Sequence, residues 1–135
     1  MKNDFNKDQY ESNFQLYLEH NSKGEAGGSS PVERVNLLKK YLPNGRRVFE
    51  IGSGGGIDAE VLRAEGYEVI ASDFVDNFLA ILKEKGFDTL KFDAKSDEIP
   101  EEVSAVYANA VFVHLSPENI TSLLQRARKS KKKKK

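Results

Sequence analysis

The sequence predicts an α/β domain: a doubly wound, mostly parallel sheet with helices on both faces and a helical extension before it. Three observations predict it. From Arg47 onward, short apolar runs alternate strictly with helical stretches; a glycine-rich turn, Gly52 to Gly56, directly follows the first apolar run; and Gly66 and Gly86 each stand just past a helical stretch. Strand-length runs separated by helix-length segments imply parallel strands joined by right-handed crossovers. Glycine just beyond a helix supplies the left-handed cap that ends it.

Taken in order, residues 5–20 place Phe5, Tyr10, Phe14, Tyr17 and Leu18 mostly three and four apart, which predicts an amphipathic helix. Asn21 to Ser30 is rich in glycine and serine and reads as a flexible loop, a connector that can also fold over a ligand as a lid. Residues 1–30 thus form an N-terminal extension. Ser30 and Pro31 are an N-cap and first-turn pair, and Val35, Leu37, Leu38, Tyr41 and Leu42 give the helix they open an apolar face up to Pro43-Asn44-Gly45. The first strand is Arg47 to Ile51. After the glycine turn a helix opens near Ile57, a second strand runs from Tyr67 to Ser72, and a further helix covers the stretch NFLAILKEKG. A third strand ends at Asp93, a fourth runs from Val103 to Ala108, and Ser116 and Pro117 cap the last helix. The domain proper spans 31–130, and the homopolymeric run Lys131 to Lys135, which cannot bury a face, is expected to be disordered.

Composition narrows the ligand. The length of 135 residues fits one domain, and 39% hydrophobic with 31% charged residues is ordinary for a soluble globular chain. The net charge of zero hides an asymmetry, because five of the 21 basic residues are Lys131 to Lys135, which leaves 16 against 21 acidic groups. An acidic body argues against a nucleic-acid groove built on charge and favours a small-molecule ligand. There is no cysteine, so a disulfide, a thiolate nucleophile and a cysteine metal site are excluded, and with only His20 and His114 no metal centre is expected. The N-terminus lacks a signal-peptide core and no apolar run approaches the roughly 18 residues of a membrane span, so a cytoplasmic, membrane-free protein is expected.

The glycine turn carries the sharpest signal. It reads acidic-x-G-x-G-x-G, with Glu50, Gly52, Gly54 and Gly56, and Ser53 inside it. A dinucleotide fingerprint requires glycine where Ile57 stands, and no Gly-Lys-Ser or Gly-Lys-Thr follows, so an NAD-linked oxidoreductase is the weaker alternative and a P-loop is absent. Asp73 closes the second strand and Asp93 the third, so three neighbouring strand ends face one crevice, where open α/β sheets bind ligands. A carboxylate at the second position accepts hydrogen bonds from ribose hydroxyls, although each Asp can equally cap the following helix. A negative Glu50 repels pyrophosphate but suits an ammonium or a sulfonium, and S-adenosyl-L-methionine has both.

The stretch VFEIGSGGGIDAEVLRAEGYEVIASD, followed by KFDA and YANAVFVHL, resembles the class I S-adenosylmethionine-dependent methyltransferases of small-molecule type, over about residues 31–130. The resemblance implies a Rossmann-like sheet of strand order 3-2-1-4 and S-adenosyl-L-methionine as cofactor. It assigns Glu50 and the loop Gly52, Ser53, Gly54 and Gly56 to the methionine part, Asp73 to the ribose, and Asp93 with the Ala94 backbone to the adenine. Phe74 would lie along the adenine edge, and Asn109 would touch the methionyl end or the acceptor. The chemistry implied is direct methyl transfer to a small-molecule or protein acceptor, driven largely by proximity and alignment. His114 is the one weak candidate for a general base. Complete members have a seven-stranded sheet, so the resemblance also implies a C-terminally truncated chain whose fourth strand is an edge open to self-association. A module that binds the cofactor without transferring from it is the alternative.

Overall fold

The computed structural model describes residues 30–109, 111 and 115–133. The expected helix over 5–20, the lid loop up to Ser29 and His114 lie outside the described residues.

The first described helix, α1 (Pro31–Lys39), opens on a complete capping box: the Ser30 hydroxyl accepts the Glu33 N–H and the Glu33 carboxylate accepts the Ser30 N–H, each at 3.1 Å. Two orphan donors are satisfied at once. The helix stops short of Leu42, and its apolar face is narrower than expected. Val35 is fully buried and Leu38 and Leu42 pack against the same cluster, whereas Leu37 and Tyr41 are exposed. The reason is angular: positions 35, 38 and 42 share one side of the turn, and 37 and 41 point elsewhere. The Tyr67 hydroxyl donates to the Leu42 carbonyl at 2.6 Å and fixes the end of this segment.

Four strands follow, β1 (Arg47–Ile51), β2 (Glu68–Asp73), β3 (Asp88–Lys91) and β4 (Ala105–Ala108), with helices α2 (Ile57–Ala64) and α3 (Asp76–Glu84) between the first three. All pairings are parallel and the order is β3-β2-β1-β4. The sheet therefore has the expected order. Side chains of β1 alternate between two cores: Val48 joins Ala59, Leu62, Val69 and Leu82 on the side of α1, α2 and α3, while Phe49 and Ile51 join Phe92, Val103, Leu115 and Leu123 on the side of the last helix, α4 (Pro117–Lys133). Helices thus cover both faces, which is why the central strand is buried almost throughout. Phe49 and Phe92 meet edge to face with centroids 5.0 Å apart, tying β1 to the residue just past β3.

Three boundaries differ from expectation. β3 ends at Lys91, because Asp93 begins a turn whose carbonyl accepts the Ser96 and Asp97 N–H groups. The fourth strand starts at Ala105, after the chain turns at Glu102 with φ 65°, although the Ser104 N–H already donates to the Arg47 carbonyl. The lysine run does not end the order at Lys131: α4 continues to Lys133, consistent with the high helix propensity of lysine. Among the described residues no helix is long and apolar enough to cross a membrane.

Candidate cofactor site

The expected cofactor residues are organised around the turn between β1 and α2. Gly52, Gly54 and Gly56 all have positive φ, 70°, 56° and 94°, so the chain reverses within five residues. At Gly52 the requirement is steric as well. A Cβ there would lie 2.7 Å from the Val111 side chain, so the close neighbour is protein. Gly52→Ala is therefore expected to cost about 1–3 kcal/mol. Gly45 shares the positive φ but has nothing within 4 Å, so Gly45→Ala should cost less. Urea unfolding of the two variants side by side checks the difference.

The turn is laced to the end of β2. The Ser53 N–H donates to the Ser72 carbonyl at 2.7 Å, the Ser72 N–H donates to the Ser53 hydroxyl at 3.1 Å, and the Ser72 hydroxyl donates to the Glu50 carbonyl at 2.6 Å. Asp73 completes the lacing. One of its oxygens accepts the Gly54 N–H at 2.8 Å and the other accepts the Val75 N–H at 3.0 Å, at the start of α3, where the N-cap residue offers no side-chain bond. Asp73 thus ties the glycine turn to the segment leading into α3, while α3 itself has Val75 as its N-cap and no side-chain cap bond. On its outer side the turn is pinned by Lys85, whose ammonium donates to the Gly55 carbonyl at 2.8 Å and pairs with Glu60 at 3.0 Å.

The remaining candidates follow from register. The Phe92 N–H donates to the Asp73 carbonyl, so Asp93 and Ala94 lie beside Asp73 and half-buried Phe74. The Asp93 turn is closed by its carboxylate accepting the Lys95 N–H at 2.9 Å and by the Asp97 carboxylate accepting the Asp93 N–H at 2.8 Å. Arg126 of α4 clamps it from behind, donating to the Ala94 carbonyl at 2.7 Å and to the Asp97 carbonyl. Ile51 is paired with Ala108, so half-buried Asn109 stands level with Gly52. Glu50, the glycine turn, Asp73, Phe74, Asp93, Ala94 and Asn109 are thereby gathered at the carboxyl ends of four adjacent strands.

One cluster at this end escaped the sequence reading. Asp58, in the first turn of α2, accepts two bonds from Arg34 of α1, at 2.8 and 2.7 Å, and one from the Tyr107 hydroxyl of β4, at 2.6 Å. This carboxylate joins two helices to the edge strand β4. The bond to Asp58 holds the Arg34 guanidinium above its ordinary pKa against the opposing effect of burial. Burial first, and the bond to Asp58 second, push the Tyr107 phenol well above its usual range. The available signal was the placement of Arg34 four residues before core-facing Leu38.

Glu50 sits in a buried setting that the motif alone does not disclose. It is 2% exposed and its Oε1 has no hydrogen-bond partner among the described residues. Burial pushes its carboxyl up to about 8; a hydrogen bond from Ser53 opposes this, the charges of Asp58 and Asp73 add to it, and Arg34 opposes it. Burial thus favours the neutral form of this carboxyl. Among the described residues no group of three or more His, Cys, Asp or Glu could hold a metal ion.

A family model described as a methyltransferase domain matches residues 48–134. No curated protein matches the sequence. Among solved structures, the chain is similar to a TehB-like SAM-dependent methyltransferase from Corynebacterium glutamicum, with a TM-score of 0.71 at 19% identity over 86% of this chain and 67% of that one. It is also similar to a SAM-dependent methyltransferase from Archaeoglobus fulgidus, with 0.65 at 26% identity over 87% of this chain and 52% of that one. A third is phosphoethanolamine N-methyltransferase 1 from Haemonchus contortus in complex with phosphoethanolamine and S-adenosylhomocysteine, with 0.60 at 21% identity over 92% of this chain and 30% of that one. The chain thus spans between 30% and 67% of the length of these three structures.

Proposed function

This chain belongs to the methyltransferase-domain family, and from that premise we propose that it binds S-adenosyl-L-methionine across the strand ends and transfers the methyl group to a small-molecule or protein acceptor. The observation that carries the reading is the buried Glu50 carboxyl, whose Oε1 has no partner among the described residues, beside a turn of three positive-φ glycines. A buried polar atom without a partner is costly, and an ammonium donor supplies the missing bond. The residues present fit the cofactor in this respect.

When bound, the cofactor supplies an electrophilic methyl on a sulfonium, which an acceptor lone pair attacks directly. The protein's part is to bind, orient and exclude water. Glu50 and the Gly52 to Gly56 backbone take the methionine end. Asp73, oriented by the Gly54 and Val75 N–H groups, stands at the strand end where the ribose hydroxyls would lie. The Asp93 turn, clamped by Arg126, offers the adenine a fixed edge with Phe74 beside it. Asn109 stands level with the turn, at the end where the acceptor must approach. No residue is assigned as a general base, and alignment supplies the acceleration.

Incubation with methyl-labelled S-adenosylmethionine and panels of amine, hydroxyl and thiol acceptors, together with whole protein extracts, tests the transfer. Label on at least one acceptor, lost in Asp73→Ala, is expected. Saturable cofactor binding with no labelled product from any acceptor would instead make the chain a binding module.

A further inference from the structure

This inference rests on the cofactor reading above and concerns the charge of the pocket. Glu50 occupies the next-to-last position of β1 and is almost wholly buried. Each neighbouring element brings a titratable or polar group toward it: Arg34 from α1, Ser53 from the glycine turn, Asp58 from α2, Asp73 from β2 and Tyr107 from β4. The guanidinium of this set, Arg34, is gripped at both prongs by Asp58. Three carboxyl groups thus share one cation. Desolvation and like charge both disfavour ionising Glu50, and its Oε1 has no donor among the described residues to offset them. A ligand that brings a cation to this carboxyl reverses the balance.

We propose that binding of the aminocarboxylate end of S-adenosylmethionine drives one proton off the Glu50 carboxyl, so that cofactor capture is proton-linked at this buried side chain. The Glu50 O–H bond breaks, its electron pair stays on the carboxylate, and the proton passes to solvent buffer. In the ligand-free chain burial holds the carboxyl at about 8. Below that pH the free chain carries the proton and the complex does not, so protons oppose binding. Affinity accordingly rises with pH as long as the ligand's amino group stays protonated and Glu50 is protonated in the free chain.

Calorimetric titration with S-adenosylhomocysteine, which has the same aminocarboxylate end, reads this directly. The titrations are run at about pH 6.5, where an α-amino group is already protonated, in phosphate and in Tris, two buffers of different ionisation heat. The full chain is expected to release close to one proton per ligand, with affinity rising about tenfold per pH unit between about pH 6 and pH 7. Glu50→Gln, which cannot lose a proton, is expected to show no buffer dependence and a pH-independent affinity. 5′-Methylthioadenosine, which lacks the aminocarboxylate end, is expected to bind without proton release. Binding by the full chain with no proton release, or equal release from Glu50→Gln, overturns the proposal and leaves the cofactor reading standing. Failure of the folded chain to bind S-adenosylhomocysteine at all overturns both.

Discussion

Arg34→Met should destabilise the folded chain by about 3–5 kcal/mol, the range for breaking a buried ion pair by removing one partner. Asp58 is the reason. Its side chain is 8% exposed and accepts two bonds from Arg34 and one from Tyr107, so losing the guanidinium strands a buried carboxylate with a single neutral donor. Arg34→Lys restores the charge without the planar fork and should recover only part of the loss. Arg34→Met with Asp58→Asn removes the stranded charge and should likewise be less damaged than Arg34→Met alone. Urea unfolding of all three measures the differences, and a loss below about 1 kcal/mol in Arg34→Met would class the pair with exposed ion pairs of little consequence. The same variant also removes the one neighbour that favours the charged form of Glu50 by its positive charge.

Asp73→Ala should affect both stability and binding. It leaves the Gly54 and Val75 N–H groups without the acceptor they use, at about 1–3 kcal/mol for each buried donor left unsatisfied. It also frees the turn from β2 on one side and removes the carboxylate assigned to the ribose. A loss of more than about 100-fold in cofactor affinity is expected, since about 1.4 kcal/mol is tenfold and several such contacts are lost together. Asp73→Asn keeps one oxygen but turns a donor toward one of the two N–H groups, so it should not rescue binding. Wild-type affinity in Asp73→Asn, measured by titration of the folded variant, would show that the carboxylate is not the required acceptor.

These two residues mark what the sequence could and could not disclose. Asp73 was legible because strand ends are legible: apolar runs of strand length give the sheet, parallel order gives the crevice, and an acidic residue at a strand end falls in it. Its hold on Gly54 was not legible, because the sequence reading set only helix capping beside ligand binding, and α3 takes Val75 as its N-cap. Arg34, Asp58 and Tyr107 were invisible for a physical reason. Charged residues on helices are ordinarily solvated, and a tyrosine in an apolar strand ordinarily reads as core; only the packing of α1 and β4 around the start of α2 brings the three together. Glu50 was found from the motif, but the upward push that burial gives its carboxyl was not, because burial belongs to the folded chain and not to the motif. Leu37 and Tyr41 were placed in the core because the apolar spacing of α1 fits two overlapping faces, and the sheet uses only one.

The most direct test of the central claim is calorimetric titration of the chain with S-adenosyl-L-methionine and, separately, with NAD, using Asp73→Ala as the control. The account predicts saturable heat with S-adenosyl-L-methionine alone, abolished in the variant. Silence with S-adenosyl-L-methionine from a folded chain, or tight binding of NAD, would contradict it.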